Sequence, residues 1–93
     1  MGRMRKLDKA ERDAERTRLY DDLEAGRIGI PEAVRRMRAV AGMSQAEYAA
    51  RVAGISKTAL AQIEQGKGNP RLSTLQAIGA AFGLDLGFVR RRT

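Results

Sequence analysis

A chain of 93 residues with 18 Lys and Arg against 11 Asp and Glu carries a formal charge of +7 and a calculated pI near 10.8, so it should be drawn to a polyanion. It contains no cysteine and no histidine, which excludes disulfides, thiolate chemistry and Cys-type zinc sites and removes the commonest metal ligand and general base. Catalysis is therefore not expected, and neither is a metal or cofactor. The length allows one domain with a modest core; no apolar run approaches the roughly 20 residues needed to cross a bilayer, and we expect a cytoplasmic protein with no membrane association.

The charge is unevenly spread. Residues 1–30 hold 8 basic and 7 acidic groups, for +1; residues 31–66 hold 5 and 3, for +2; residues 67–93 hold 5 and 1, for +4. The excess lies in the middle and end of the chain, and the start is close to neutral.

In chain order, residues 7–25 (LDKAERDAERTRLYDDLEA) read as a helix capped by Asp8, with Asp8–Arg12 and Lys9–Asp13 as oppositely charged neighbours one turn apart. Its first half is polar nearly all round; its second half gathers Leu19, Leu23 and Tyr20. The bland reading is a helix that covers the core, and the sharper one is a helix that grips a partner protein. Asp21, Asp22 and Glu24 read as a solvated face. Gly26 and Gly29 break the pattern and leave Ile28 and Ile30 as core contacts.

Pro31 suits the first position of a second helix, where its missing amide costs nothing. Val34, Met37 and Ala41, with Ala33 and Val40 beside them, form an apolar stripe at the helical period. Arg35, Arg36 and Arg38 lie off it, and Gly42 closes the helix.

The stretch from Ser44 to Gly66 is the centre of the chain. Ser44 with Glu47 three residues on forms a capping box for a helix over Gln45 to about Val52, with Tyr48, Ala49 and Val52 turned inward. Ala49 needs to be small, because two helices crossing steeply after a short turn leave little room where they approach. Gly54 marks the turn. Ser56 caps the next helix, in which Leu60 and Ile63 face the core, and Gly66 ends it. At about 100° per residue, Thr58, Ala61, Gln62 and Gln65 fall on the face opposite Leu60. Such a helix can enter a DNA major groove, where glutamine pairs with adenine, lysine reaches guanine and threonine touches a thymine methyl. Lys67, Asn69 and Arg71, just beyond, suit phosphate contacts. Gly66-Lys67 does not open a phosphate-binding loop, since Gly68 follows in place of Ser or Thr and a helix precedes it.

A further helix is expected from about Leu72 or Ser73 to Phe82, with Leu75, Ile78 and Phe82 as its buried stripe and Gly83 as its end. The chain then alternates in LDLGFV, with Leu84, Leu86 and Phe88 on one side and Val89 on the other, which is the period of a strand. A lone strand leaves its backbone groups unpaired, so a second copy of the chain is the expected partner, through Leu84, Leu86, Phe88 and Val89. Arg90 to Arg92 form a basic tail.

From Val34 to Pro70 the pattern VRRMRAVAGMSQAEYAARVAGISKTALAQIEQGKGNP resembles the phage Cro and repressor type of helix-turn-helix, the XRE family, because Ser-Gln, the small Ala49, the turn glycine, Leu60 and Ile-Glu-x-Gly fall together. The resemblance implies an all-α, Cro/repressor-like helix-turn-helix bundle, here with an extra N-terminal helix and a short C-terminal β-strand used in dimerisation. It implies that Gln45 touches DNA phosphate, that Lys57, Thr58 and Gln62 read bases, and that Arg38 and Glu64 form a structural ion pair. With Ser56, Ala61, Gln65, Lys67, Asn69 and Arg71 these residues make up the expected DNA-binding set. Two departures stand out. The segment between Ala49 and Ser56 is one residue longer than usual, with Ala53 where the turn glycine normally sits. The ending, in turn, is similar to that of HipB-type antitoxins, whose terminal strand builds the dimer.

The expected organisation is thus a helical extension over 1–30, the helix-turn-helix domain over 31–83, and the strand and tail over 84–93. The expected function is a sequence-specific transcriptional repressor bound as a homodimer to a palindromic site on double-stranded DNA. The alternative is an antitoxin that binds a toxin protein and autoregulates its operon.

Overall fold

The computed structural model describes residues 6–91, and every helix in it is anticipated by a pattern in the sequence. The elements are α1 (Lys9–Glu24), α2 (Ile30–Ala41), α3 (Gln45–Tyr48) continuing into a π-helical turn (Ala49–Ala53), α4 (Lys57–Glu64) and α5 (Leu72–Ala80). Arg92, at the end of the expected basic tail, lies outside the described residues.

Local chemistry fixes the helix starts. Asp8 caps α1 and Ser44 caps α3 through capping boxes, each side chain accepting from the third residue while Glu11 and Glu47 reach back to the cap amide, which satisfies two orphan donors at once. The Ser44 amide holds the Glu47 carboxyl below the usual carboxylate range. Ser56 caps α4 by accepting from the Ala59 amide at 3.1 Å. Lys9 pairs with Asp13 at 3.1 Å as expected, but Arg12 turns from Asp8 and donates to the Leu7 carbonyl.

The core gathers Leu19 from α1, Ala33, Val34 and Met37 from α2, Tyr48, Ala49 and Ala53 from α3 and its π turn, Leu60 and Ile63 from α4, and Ile78 from α5. Leu23, Ile28, Val52, Leu75, Phe82 and Leu84 pack against it from the rim. Ala49 is buried at the crossing of α3 and α4, as its size requires. Two expected core residues are corrected. Ile30 is 44% exposed because it borders an open hollow with Leu23, Ile28 and Leu86, and Ala41 is exposed because the stripe of α2 runs through Ala33, Val34, Met37 and Val40.

α1 is fastened to the bundle at three points. Leu19 is wholly buried, the Tyr20 hydroxyl donates to the Phe82 carbonyl at 2.8 Å, and Asp22 accepts from Arg27 at 2.7 Å and from Arg36 at 2.6 Å. Asp22 is therefore part of an ion-paired joint between α1 and α2 and not of a solvated face. The covering reading of α1 describes its second half.

The π turn resolves the extra residue between Ala49 and Ser56. The Gly54 amide donates to the Ala49 carbonyl, five residues back, and the Ile55 amide donates to the same oxygen at 3.0 Å. A π turn holds one residue more than an α turn, so the surplus is coiled into α3 before Gly54, at φ +67, reverses the chain.

The expected strand is not seen among the described residues of the single chain. Residues 84–91 are irregular because their first member is already committed: the Leu84 amide donates to the Gly79 carbonyl at 2.9 Å, closing the end of α5, and its side chain joins the core rim. Beyond it, no segment of the described chain runs alongside to complete a ladder. Leu86 is half-buried, while Phe88 and Val89 stand fully in solvent.

Candidate nucleic-acid interface

The helix pair is braced from behind by α2. Arg38 donates to Glu64 from Nε to Oε2 at 2.7 Å and from Nη2 to Oε1 at 3.0 Å, a fork that fixes the carboxylate in plane and distance. Gln45 adds a third donor, Nε2 to Oε1 at 3.0 Å. Arg35 donates to the Glu64 backbone carbonyl, at the end of α4 where carbonyls lack helical partners. Glu64 is only 3% exposed, so the carboxylate is desolvated and its three donors are what make the burial tolerable. The ion pair expected between Arg38 and Glu64 is present.

Beside this joint sits Tyr48, whose hydroxyl is buried with no hydrogen-bond partner among the described residues. Burial, reinforced by the neighbouring Glu64 charge, pushes its phenol up to about 12. It remains protonated at any working pH.

The face of α4 opposite Leu60 and Ile63 is open. Ser56, Lys57, Thr58, Gln62 and Gln65 are exposed and Ala61 is half-buried among them. The helix is thus amphipathic in the sense required: one side is held in the core and the other offers an amine, a hydroxyl and two amides outward. Lys67, Asn69 and Arg71 follow in the loop to α5, all exposed. With Gln62, Pro70 and Thr74 they surround a hollow of about 200 Å³ floored by Ile55, Ala59 and Ile63. This hollow is small and rimmed by cations and amides, which suits a backbone phosphate better than an organic ligand.

The loop is shaped by the end of α4. The Lys67 amide donates to the Gln62 carbonyl at 2.8 Å and the Gly66 amide to the Ile63 carbonyl at 3.1 Å, the paired bonds of a Schellman motif. α5 follows with Arg71 at its N-cap position and no side-chain cap, while the Thr74 amide donates to the Arg71 carbonyl at 3.1 Å.

The expected DNA-binding residues thus fall in two places. Ser56, Lys57, Thr58, Ala61, Gln62, Gln65, Lys67, Asn69 and Arg71 lie on α4, its caps and its following loop, and Gln62, Lys67, Asn69 and Arg71 meet around one hollow. Gln45 stands apart: it is half-buried and engaged with Glu64, its amide serving first to brace α3 against α4. Arg35 and Thr74 were not anticipated. Arg35 lies one turn before Arg38 on the same side of α2, a spacing that points both guanidiniums at the end of α4. Thr74 is visible only once α5 is folded against the loop. Among the described residues no cluster of acidic side chains could hold a metal, and no helix is long and apolar enough to cross a membrane.

The comparisons with known proteins agree with this geometry. No curated protein and no solved structure gives a significant match. A family model described as helix-turn-helix matches residues 34–89, a span that runs from the start of the α2 stripe through the braced pair to the exposed Val89. The chain belongs to this helix-turn-helix family, of the XRE type, and is a DNA-binding transcription regulator.

Proposed function

We propose that the protein is a sequence-specific repressor that binds a palindromic operator as a homodimer and blocks transcription by occupying it. The observation that carries this reading is the exposed row Lys57, Thr58, Gln62 and Gln65 on a helix whose other side is locked into the core and whose end is clamped by Arg35 and Arg38. A rigid helix with outward donors and acceptors reads base edges; a mobile one would only attract phosphate. Lys67, Asn69 and Arg71 fix the register on the backbone, and Gln45, which spends one Nε2 hydrogen on Glu64, keeps the second N–H of that amide for the same task.

Two such helices, about 34 Å apart in successive major grooves, would read two half-sites. Support for a dimer comes from Phe88 and Val89, large apolar side chains left in solvent beside the half-buried Leu86. A second copy covering them would account for their exposure.

Selection of bound sequences from a pool of random DNA duplexes tests both halves of the proposal. A palindrome with half-sites one helical turn apart is the expected result. Enrichment of no sequence would overturn specific reading, and enrichment of single half-sites would overturn the dimer. The antitoxin alternative drew on a terminal strand that the single chain does not show and on a partner-gripping α1, whose second half is occupied with the core. The repressor reading is preferred for that reason.

A further inference from the structure

Gly68 lies against Gln62 more closely than any other residue of the loop has reason to. A Cβ built on Gly68 would stand 3.0 Å from Gln62 Oε1, 3.6 Å from its Cβ and 3.7 Å from its Cδ. The space a side chain at 68 would occupy is therefore already bordered by the Gln62 side chain. The Schellman motif brings Gly68 there: the Gln62 carbonyl accepts from Lys67, so the chain is turned back over the residue whose carbonyl closes the turn. Gly68 itself is at φ +76, a left-handed conformation open to glycine and strained for nearly every other residue.

Gln62 is exposed, and an exposed glutamine ordinarily samples many rotamers and loses that freedom on binding. Here one side of its path is walled. Gln62 also borders the hollow lined by Lys67, Asn69 and Arg71.

We infer that Gly68 is a specificity-determining positioning residue: its backbone, folded over Gln62, selects the direction in which that amide meets a base. This rests on the reading of Gln62 as a base contact. Gly68 offers no side chain to DNA and acts through Gln62 alone. A side chain at 68 moves the Gln62 amide by a few tenths of an ångström or more, since the nearest contact is its far end.

The test is site selection from random duplexes with the full chain in four forms: wild type, Gln62→Ala, Gly68→Ala and the double variant. Gly68→Asn is added as a second substitution because asparagine tolerates left-handed backbone better than alanine does, so a folded variant with a side chain at 68 is secured. The expected result is that Gln62→Ala weakens preference at one base pair in each half-site by about tenfold, within what a bidentate contact discriminates. Gly68→Ala and Gly68→Asn should change the preference at that same base pair and no other, with binding to random duplex kept within about twofold. In the Gln62→Ala background Gly68→Ala should change nothing further.

Unchanged preference in both Gly68 variants would overturn the inference, as would a change spread evenly over the site or one that persists without Gln62. A Gln62→Ala variant that selects the wild-type sequence would overturn the base-reading role and the inference with it, and that arm distinguishes the two failures.

Discussion

The guanidinium of Arg38 on α2 holds the carboxylate of Glu64, the last residue of α4, by two hydrogen bonds of 2.7 and 3.0 Å. Neither group is used outward. The pair ties the end of α4 to α2.

Replacing Arg38 with Met keeps the aliphatic stem and removes the charge. Glu64 is then buried with Gln45 as its one remaining side-chain donor, and breaking such a pair costs about 3 kcal/mol. Adding Glu64→Gln should recover part of the loss, because the uncompensated charge is gone. Urea unfolding of the two single variants and the double variant would show it, and equal loss in Arg38→Met and Arg38→Met/Glu64→Gln would mean that packing, not charge, dominates.

Tyr48→Phe should be neutral or stabilising, by up to about 1 kcal/mol. The hydroxyl is buried without a partner, and an unsatisfied buried donor is a cost that phenylalanine does not carry. A rise in the urea midpoint with an unchanged slope is the expected signature; a fall of more than about 1 kcal/mol would show that the hydroxyl has a partner, such as an ordered water.

Asp22 gives the fold a dependence on acid. Hydrogen bonds from Arg27, then Arg36, hold its carboxyl below the usual carboxylate range. A group whose folded pKa is depressed stabilises the fold above its unfolded value, and that contribution disappears as pH falls through the folded value. Asp22→Asn should therefore be less stable than wild type near neutrality, and the difference should close in acid. Melting temperatures at about pH 7 and about pH 2.5 check the sign.

Phe88 and Val89 are the test of the dimer. Because both stand in solvent, replacing them with Ser should leave the melting of an isolated subunit unchanged. Sedimentation should show a monomer where wild type is a dimer, with operator binding weakened. A double variant that remained dimeric would move the interface elsewhere.

Much of this architecture was legible in the residues. Caps at Asp8, Ser44 and Ser56 and glycines at the helix ends are local signals with local causes, and they located all five helices. The split of α4 into Leu60 and Ile63 inside and Thr58, Gln62 and Gln65 outside followed from its period. What the sequence misstated depended on contacts made later. LDLGFV has a strand's alternation, but alternation does not supply a neighbour, and the Leu84 amide was already taken by α5. Ile30 is apolar and yet 44% exposed, because the hollow it borders is open. Asp22 looked solvated until Arg27 and Arg36 arrived from outside its own helix. Gln45 carried no mark of its bond to Glu64, 19 residues away, and glycine at 68 said nothing of the side chain beneath it.

The π turn at Ala49–Ala53 has a consequence for how length and aim are related in this family member. Counted along the sequence, one surplus residue between Ala49 and Ser56 should rotate everything that follows by about 100°. Counted in hydrogen-bonded turns, the molecule has no surplus: the wider ring takes up the residue as slack in a rope takes up a knot, and Gly54 leaves from the end of that ring. The slack lies upstream of α4, while the clamp from Arg35 and Arg38 lies downstream, at Glu64. α4 is thus held at its far end, and the extra length of its approach is taken up before it begins.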